Sequence, residues 1–146
     1  MNDRIVVVVT DASVIGHVMG PGAWACEVDH IEYYGPLPML MGNNIAELWA
    51  IYEGLSRCPY GARVLVWCDN RMALQWATNK APVSLYNPLK ELVILIQLSI
   101  RAVIEALDLD VMYQRVKGHK TNENHNRIDA LARSEARRVA DEYFSQ

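Results

Sequence analysis

The strongest pattern in the chain comes first: Arg4 to Thr10 reads RIVVVVT, a β-branched run without polar alternation. An unbroken apolar run suits a strand buried on both faces, so this segment predicts the middle of a sheet. Gly16, Gly20, Pro21 and Gly22 then mark a turn, and two short strands follow, around Ala23 to Val28 and Ile31 to Tyr34. Asp29 and His30 between them suit a tight hairpin connection, and both strands are expected as antiparallel neighbours of the first. From Asn44 the apolar positions Ile45, Leu48, Trp49, Ile51, Tyr52 and Leu55 recur at helical spacing, with Gly61 punctuating the exit. Arg63 to Cys68, RVLVWC, reads as a second buried strand, after which Asp69 and Asn70 can cap a short helix from Met72 to Ala77. Asn79 to Asn87 reads as loop, and Pro88 suits the first turn of a long helix through Ala106. Val111 to Val116 is a last strand and Asn126 to Phe144 a final helix. The order βββαβααβα implies an α/β fold with a mixed sheet, antiparallel first and parallel later.

With 146 residues, of which 51% are hydrophobic, the chain suits one globular domain spanning residues 1–146 with a sizeable core. The formal net charge of -3 argues against a general basic surface for nucleic acid, so any such contact must be local. The acidic balance points to an accessory nucleic-acid-binding protein or domain. Cys26, Cys58 and Cys68 form no C-x-x-C pair and are read as reduced. The most apolar stretch, Leu92 to Ile104, is interrupted by Gln97, Ser99 and Arg101 and falls short of the roughly 20 residues a membrane span needs. It is expected as a buried helix. Asp3 and Arg4 lead into a valine run too short for a signal-peptide core, so a cytoplasmic protein without a membrane partner is expected.

Candidate chemistry then falls into place on the elements. Asp11 and Asp69 each close an apolar strand, Glu47 lies in a helical turn, and Asp129 opens the last helix. Taken singly, Asp69 and Asp129 suit helix termini and Glu47 a first turn. Asp11 is different, because a carboxylate ending four consecutive valines must be solvated or ligated. Converging, the four would hold two hard divalent cations about 4 Å apart, the arrangement that hydrolyses phosphodiesters. A nuclease is the reading these residues favour. The remaining histidines, His17, His30 and His125, and the tryptophans Trp24, Trp49, Trp67 and Trp76 are assigned structural roles.

The ordered motifs TDAS (Thr10 to Ser13), NNIAEL (Asn43 to Leu48), CDN (Cys68 to Asn70), KGH (Lys117 to His119) and NRIDALA (Asn126 to Ala132) resemble type 1 ribonuclease H over essentially the whole chain. The resemblance implies a five-stranded mixed sheet flanked by helices and endonucleolytic cleavage of the RNA strand of RNA/DNA hybrids with magnesium or manganese. It implies Asp11, Glu47, Asp69 and Asp129 as metal carboxylates and His119 as a mobile active-site histidine. Ser13, Asn43, Asn44, Asn70, Arg71 and Lys117 match substrate-contacting positions, with Lys120 and Arg127 as further cationic candidates. The chain also departs from the family. Ala12 stands where a glycine is usual, and the positions matching a DNA-strand phosphate pocket are Leu40, Gly42 and His125. A basic, tryptophan-rich protrusion has no counterpart, leaving Lys80 and Lys90 in that stretch. A related nuclease acting on DNA or branched junctions, and a non-catalytic interaction domain, are the alternatives.

Overall fold

A computed structural model of the chain describes residues 4–16, 18–79, 87–116 and 122–146. Its elements are β1 (Ile5–Val14), β2 (Gly22–Val28), β3 (Ile31–Pro36), α1 (Asn43–Leu55), β4 (Arg63–Cys68), α2 (Arg71–Ala77), α3 (Asn87–Ala106), β5 (Asp110–Arg115) and α4 (Glu123–Phe144). They form a five-stranded sheet in the order β3-β2-β1-β4-β5. β1 pairs antiparallel with β2 and parallel with β4, and the valine run is the centre of the sheet as expected. β3 is not a neighbour of β1 but lies outside β2, because a two-residue hairpin joins adjacent strands and β4 takes the other side of β1.

Both hairpin residues have positive φ, 51° at Asp29 and 70° at His30, the geometry of a turn whose twist matches that of its strands. Arg4 bonds the Asp29 carboxylate, whereas His30 is an exposed, bulky residue held in the left-handed region. His30→Gly is therefore expected to raise unfolding free energy by about 0.5–1 kcal/mol, visible as a higher urea midpoint at unchanged slope.

Alternation along β1 sends side chains into two layers. Val6 and Val8 join the larger core with Leu48, Ile51 and Leu55 of α1 and Ile96 and Ile100 of α3. Val9 joins the opposite layer with Ala25 of β2 and Ile128 and Ala132 of α4. Gly54 lets α1 approach the sheet, since a Cβ there would lie 2.7 Å from Val8 Cγ1. α3 is not a buried helix. Val93, Ile96 and Ile100 pack inward, but Ile94, Leu95 and Leu98 are exposed because nothing among the described residues covers its outer face. No helix of the described residues is long and apolar enough to cross a membrane. All three cysteines are buried and free. Trp24 and Trp76 are buried in the larger core, Trp49 packs against it, and Trp67 packs in the α4 layer.

The fork that builds the site comes from strand pairing. β1 runs four residues past the expected end at Thr10, held by β2 through Asp11↔Ala25, Ala12↔Trp24, Ser13↔Ala23 and Val14↔Gly22. Its pairing with β4 ends at Val9↔Trp67, after which β4 continues only beside β5. Asp11 and Asp69 each lie two residues beyond that last pair, level with one another where the strands part. Asp11 is thus inside a strand, not at its end. The opening lies at the carboxyl edge of the parallel pair, where α/β folds collect their sites.

Candidate active site

Asp11 shares the parity of Val9 and so points toward the α4 layer, almost wholly buried. Its Oδ1 accepts a hydrogen bond from its neighbour, Ala12 N–H, at 2.9 Å. The same N–H bonds Glu47 Oε1, which reaches in from α1 and is also buried. Glu47 occupies the second turn of α1, whose N-cap, Gly42, makes no side-chain capping bond. It is not a first-turn, dipole-compensating residue, and its burial has no stabilising helix role to explain it.

Asp69 follows β4, and the helix-capping role falls to its neighbour. Asn70 Oδ1 accepts from Ala73 N–H at 2.8 Å, while Asn70 Nδ2 donates to Asn44 Oδ1 at 2.9 Å. Asp69 is left facing the opening. Asp129 does not open α4 but lies in its second turn, because Asn122 caps the helix by accepting from His125 N–H at 2.9 Å and the helix starts at Glu123. One turn further on, Arg133 Nη2 stands 2.7 Å from Asp129 Oδ2.

The four carboxylates line one open pocket of about 380 Å³ together with Ser13, Asn43, Asn70 and Arg133. Asn44 lines the adjoining groove with Val18, Met19, Gly42, Trp76 and Leu89. Arg71 lies outside the carboxylate pocket, in a separate hollow. Lys117, His119 and Lys120 fall outside the described residues. Arg127 is committed elsewhere: its Nε donates to Glu32 Oε2 at 2.7 Å and its Nη2 to Glu27, tying α4 to β2 and β3.

His125, assigned a structural role from the sequence, lies beside two of the carboxylates. It is buried, and its Nε2 stands 3.9 Å from Asp11 Oδ2 and 3.7 Å from Asp69 Oδ2. Of the other two positions matched to a phosphate pocket, Leu40 is exposed and Gly42 lines the adjoining groove. The signal was present in the sequence: His125 and Asp129 are four apart on one helix, hence on one face.

The electrostatics of the pocket are those of an anionic site short of positive charge. Burial, with the neighbouring carboxylates Asp129 and Asp69 adding to it, pushes Asp11 from the ordinary 3.8 up to about 8, against the lowering effect of its hydrogen bonds. Burial and then the charge of Asp11 hold Glu47 well above the usual carboxylate range. Such groups resist ionising side by side unless a cation joins them. Ligand atoms of Asp11, Asp69 and His125 lie within 4.8 Å of one another, as do those of Glu47, Cys68 and Asp69. Burial raises the Cys68 thiol to about 12, so the second group combines two carboxylate oxygens with a soft donor whose ionisation burial opposes. The carboxylate oxygens, with the His125 imidazole beside them, fit magnesium or manganese better than a soft metal.

A mixed sheet whose central strands part around an acidic pocket, walled by two helices that each add a carboxylate, defines a class of α/β nuclease. Residues 3–137 match the model of the RNase H family, and the chain belongs to that family, whose members are metal-dependent hydrolases. It is 30% identical over 131 residues to the ribonuclease H of Caldicellulosiruptor saccharolyticus, an alignment covering 79% of this chain and 85% of that protein. Its fold is similar to the N-terminal RNase H domain of a Mycobacterium tuberculosis protein solved as a fusion with maltose-binding protein, with a TM-score of 0.75 and 17% identity over 95% of this chain and 98% of that one. It is also similar to RNase H1 of the halophilic archaeon Halobacterium salinarum, with a TM-score of 0.68 and 17% identity over 91% of this chain and all of that one.

Proposed function

We propose that the chain hydrolyses the RNA strand of RNA/DNA hybrids at this pocket, with two magnesium or manganese ions held by Asp11, Glu47, Asp69 and Asp129, leaving 5′-phosphate and 3′-hydroxyl ends. The observation that carries this reading is the convergence of four carboxylates on one open pocket, two of them buried side by side around a single backbone N–H. When bound, the cations supply activation of the attacking water and neutralisation of charge at the leaving oxygen. The chain's own contributions are placement and proton handling. Ala12 N–H fixes Asp11 and Glu47 relative to each other, and His125 lies against Oδ2 of Asp11 and of Asp69 as a positioning group. His119 is assigned the delivery of a proton to the leaving 3′ oxygen, a task suited to an imidazole. Ser13, Asn43 and Asn70, short polar groups on the rim, are suited to reading 2′-hydroxyls, which separate RNA from DNA.

The test is cleavage of four labelled duplexes of one sequence at low salt with magnesium and then manganese: RNA/DNA, RNA/RNA, DNA/DNA, and a DNA duplex containing one ribonucleotide. Cutting confined to the RNA of the hybrid is expected. Cutting of DNA moves the activity to a DNA or junction nuclease, and failure to cut any duplex overturns the enzymatic reading in favour of an interaction domain.

A further inference from the structure

Six arginines among the described residues are already committed. Arg4, Arg57, Arg63, Arg127, Arg133 and Arg138 each pair with a carboxylate. Arg71, at the start of α2, and Arg115, at the end of β5, have no carboxylate partner among the described residues, yet they share a hollow of about 200 Å³ with Leu74, Gln75, Thr78 and Tyr113. Two arginines without a carboxylate, in a protein of net charge -3, lower their electrostatic energy by taking an anion.

The local geometry says which anion and where. Arg115 Nε donates to the main-chain carbonyl of Asp69 at 3.3 Å, which pins one edge of its guanidinium and leaves the two Nη groups free to fork onto a phosphate. Gln75 lies one helical turn after Arg71, on the same face of α2, and adds an amide. The Thr78 hydroxyl is already donated to the Leu74 and Gln75 carbonyls, at 3.0 and 3.1 Å, so it supplies no further proton. Tyr113 lines the hollow too, and its buried hydroxyl has no hydrogen-bond partner. Because Arg115 is fastened to the backbone of Asp69 itself, the hollow borders the carboxylate pocket on its α2 and β5 side.

We propose that Arg71 and Arg115, assisted by Gln75, seat a backbone phosphate of the strand being cut, next to the scissile one; this rests on the nuclease reading above. The seat replaces part of the grip that a basic protrusion would give, and it places the charge where the overall acidic surface otherwise repels the substrate.

The test measures binding of a fluorescent RNA/DNA hybrid to the full chain with magnesium, in an Asp11→Asn background that leaves the hybrid intact, across about 50–200 mM salt. Arg115→Gln is expected to weaken binding about tenfold and to reduce the slope of log Kd against log salt by about 1, the signature of one lost phosphate contact. Arg71→Gln should act alike, whereas Arg101→Gln, on the exposed side of α3, should change neither. An unchanged slope in Arg115→Gln, or the same loss in Arg101→Gln, overturns the seat. All three residues are exposed, so folding is not at stake. Should the parent bind the hybrid through Arg115 yet the wild type cut no hybrid, the seat stands and the proposed activity falls. If the parent binds no hybrid, inorganic phosphate replaces it: NMR shifts of Arg71 and Arg115 side-chain N–H groups on titration support an anion seat, and their absence refutes it.

Discussion

Asp11→Asn is expected to lower magnesium-supported cleavage by at least about 10³-fold, because one charged ligand and its share of several kcal/mol of transition-state stabilisation disappear. Asparagine is the informative replacement. It keeps an oxygen to accept from Ala12 N–H, so the neighbouring contact to Glu47 persists and only charge is removed. The same substitution is expected to stabilise the metal-free protein near pH 8 by roughly 1–3 kcal/mol, since it relieves a buried carboxylate whose ionisation burial already opposes. Asp69→Asn should lose activity as severely but gain less stability, because the Asp69 side chain keeps 26% of its surface exposed and is better solvated. Steady-state cleavage of a labelled hybrid and melting in chelator check the two halves together. Retained activity in either variant removes the residue from the site, and loss of activity with loss of stability would mean that the fold, not the chemistry, had been damaged.

The metal-free protein is expected to lose stability steadily as pH rises from about 4 to about 8, and magnesium should abolish that loss. The direction follows from linkage. Asp11 is raised from 3.8 in the unfolded chain to about 8 in the folded one, and Glu47 is raised as well. Between those limits the folded state binds more protons than the unfolded state, so the free energy of unfolding falls with pH, by about 1.4 kcal/mol per unit for each proton so held. The Asp11 contribution is full below pH 4 and is lost as pH rises through about 8, and Glu47 acts in the same direction. Magnesium favours the deprotonated carboxylates and is released on unfolding, so it adds stability most where the protons have left. Urea unfolding between pH 5 and 9, with chelator and then with magnesium, reads this directly. A flat profile in chelator would show that the two carboxylates do not titrate as a buried pair, and would remove the electrostatic reason for a cation at this pocket.

Much of the fold was legible because it depends on short-range pattern. β4 runs from Arg63 to Cys68 as its apolar run indicated, and the start of α3 falls within one residue of Pro88. The hairpin at Asp29 and His30 was readable from the brevity of the connection. The four carboxylates were found as a set because their residue types and motif spacing resemble a known family, and the family match over residues 3–137 agrees with that resemblance.

Other features depended on neighbours that no local pattern reveals. The apolar run stopped at Thr10, but pairing with β2 carried β1 to Val14 and moved Asp11 from a strand end into a strand. Asp69 and Asn70 were equal candidates for capping α2, and packing gave the cap to Asn70, freeing Asp69 for the pocket. Arg127 carried a free charge in the sequence but found Glu27 and Glu32 across about a hundred residues of chain, at sequence separations of 100 and 95. His125 read as one more structural histidine until α4 laid it against Asp11 and Asp69. The sequence by itself determined the elements, the central strand and the acidic residues, since periodicity and residue chemistry act over a few positions. Which charges are neutralised within the protein, which stay available and which buried groups share a pocket were decided only by the tertiary structure, because electrostatic energy depends on distance and burial in space, which separation along the chain does not report.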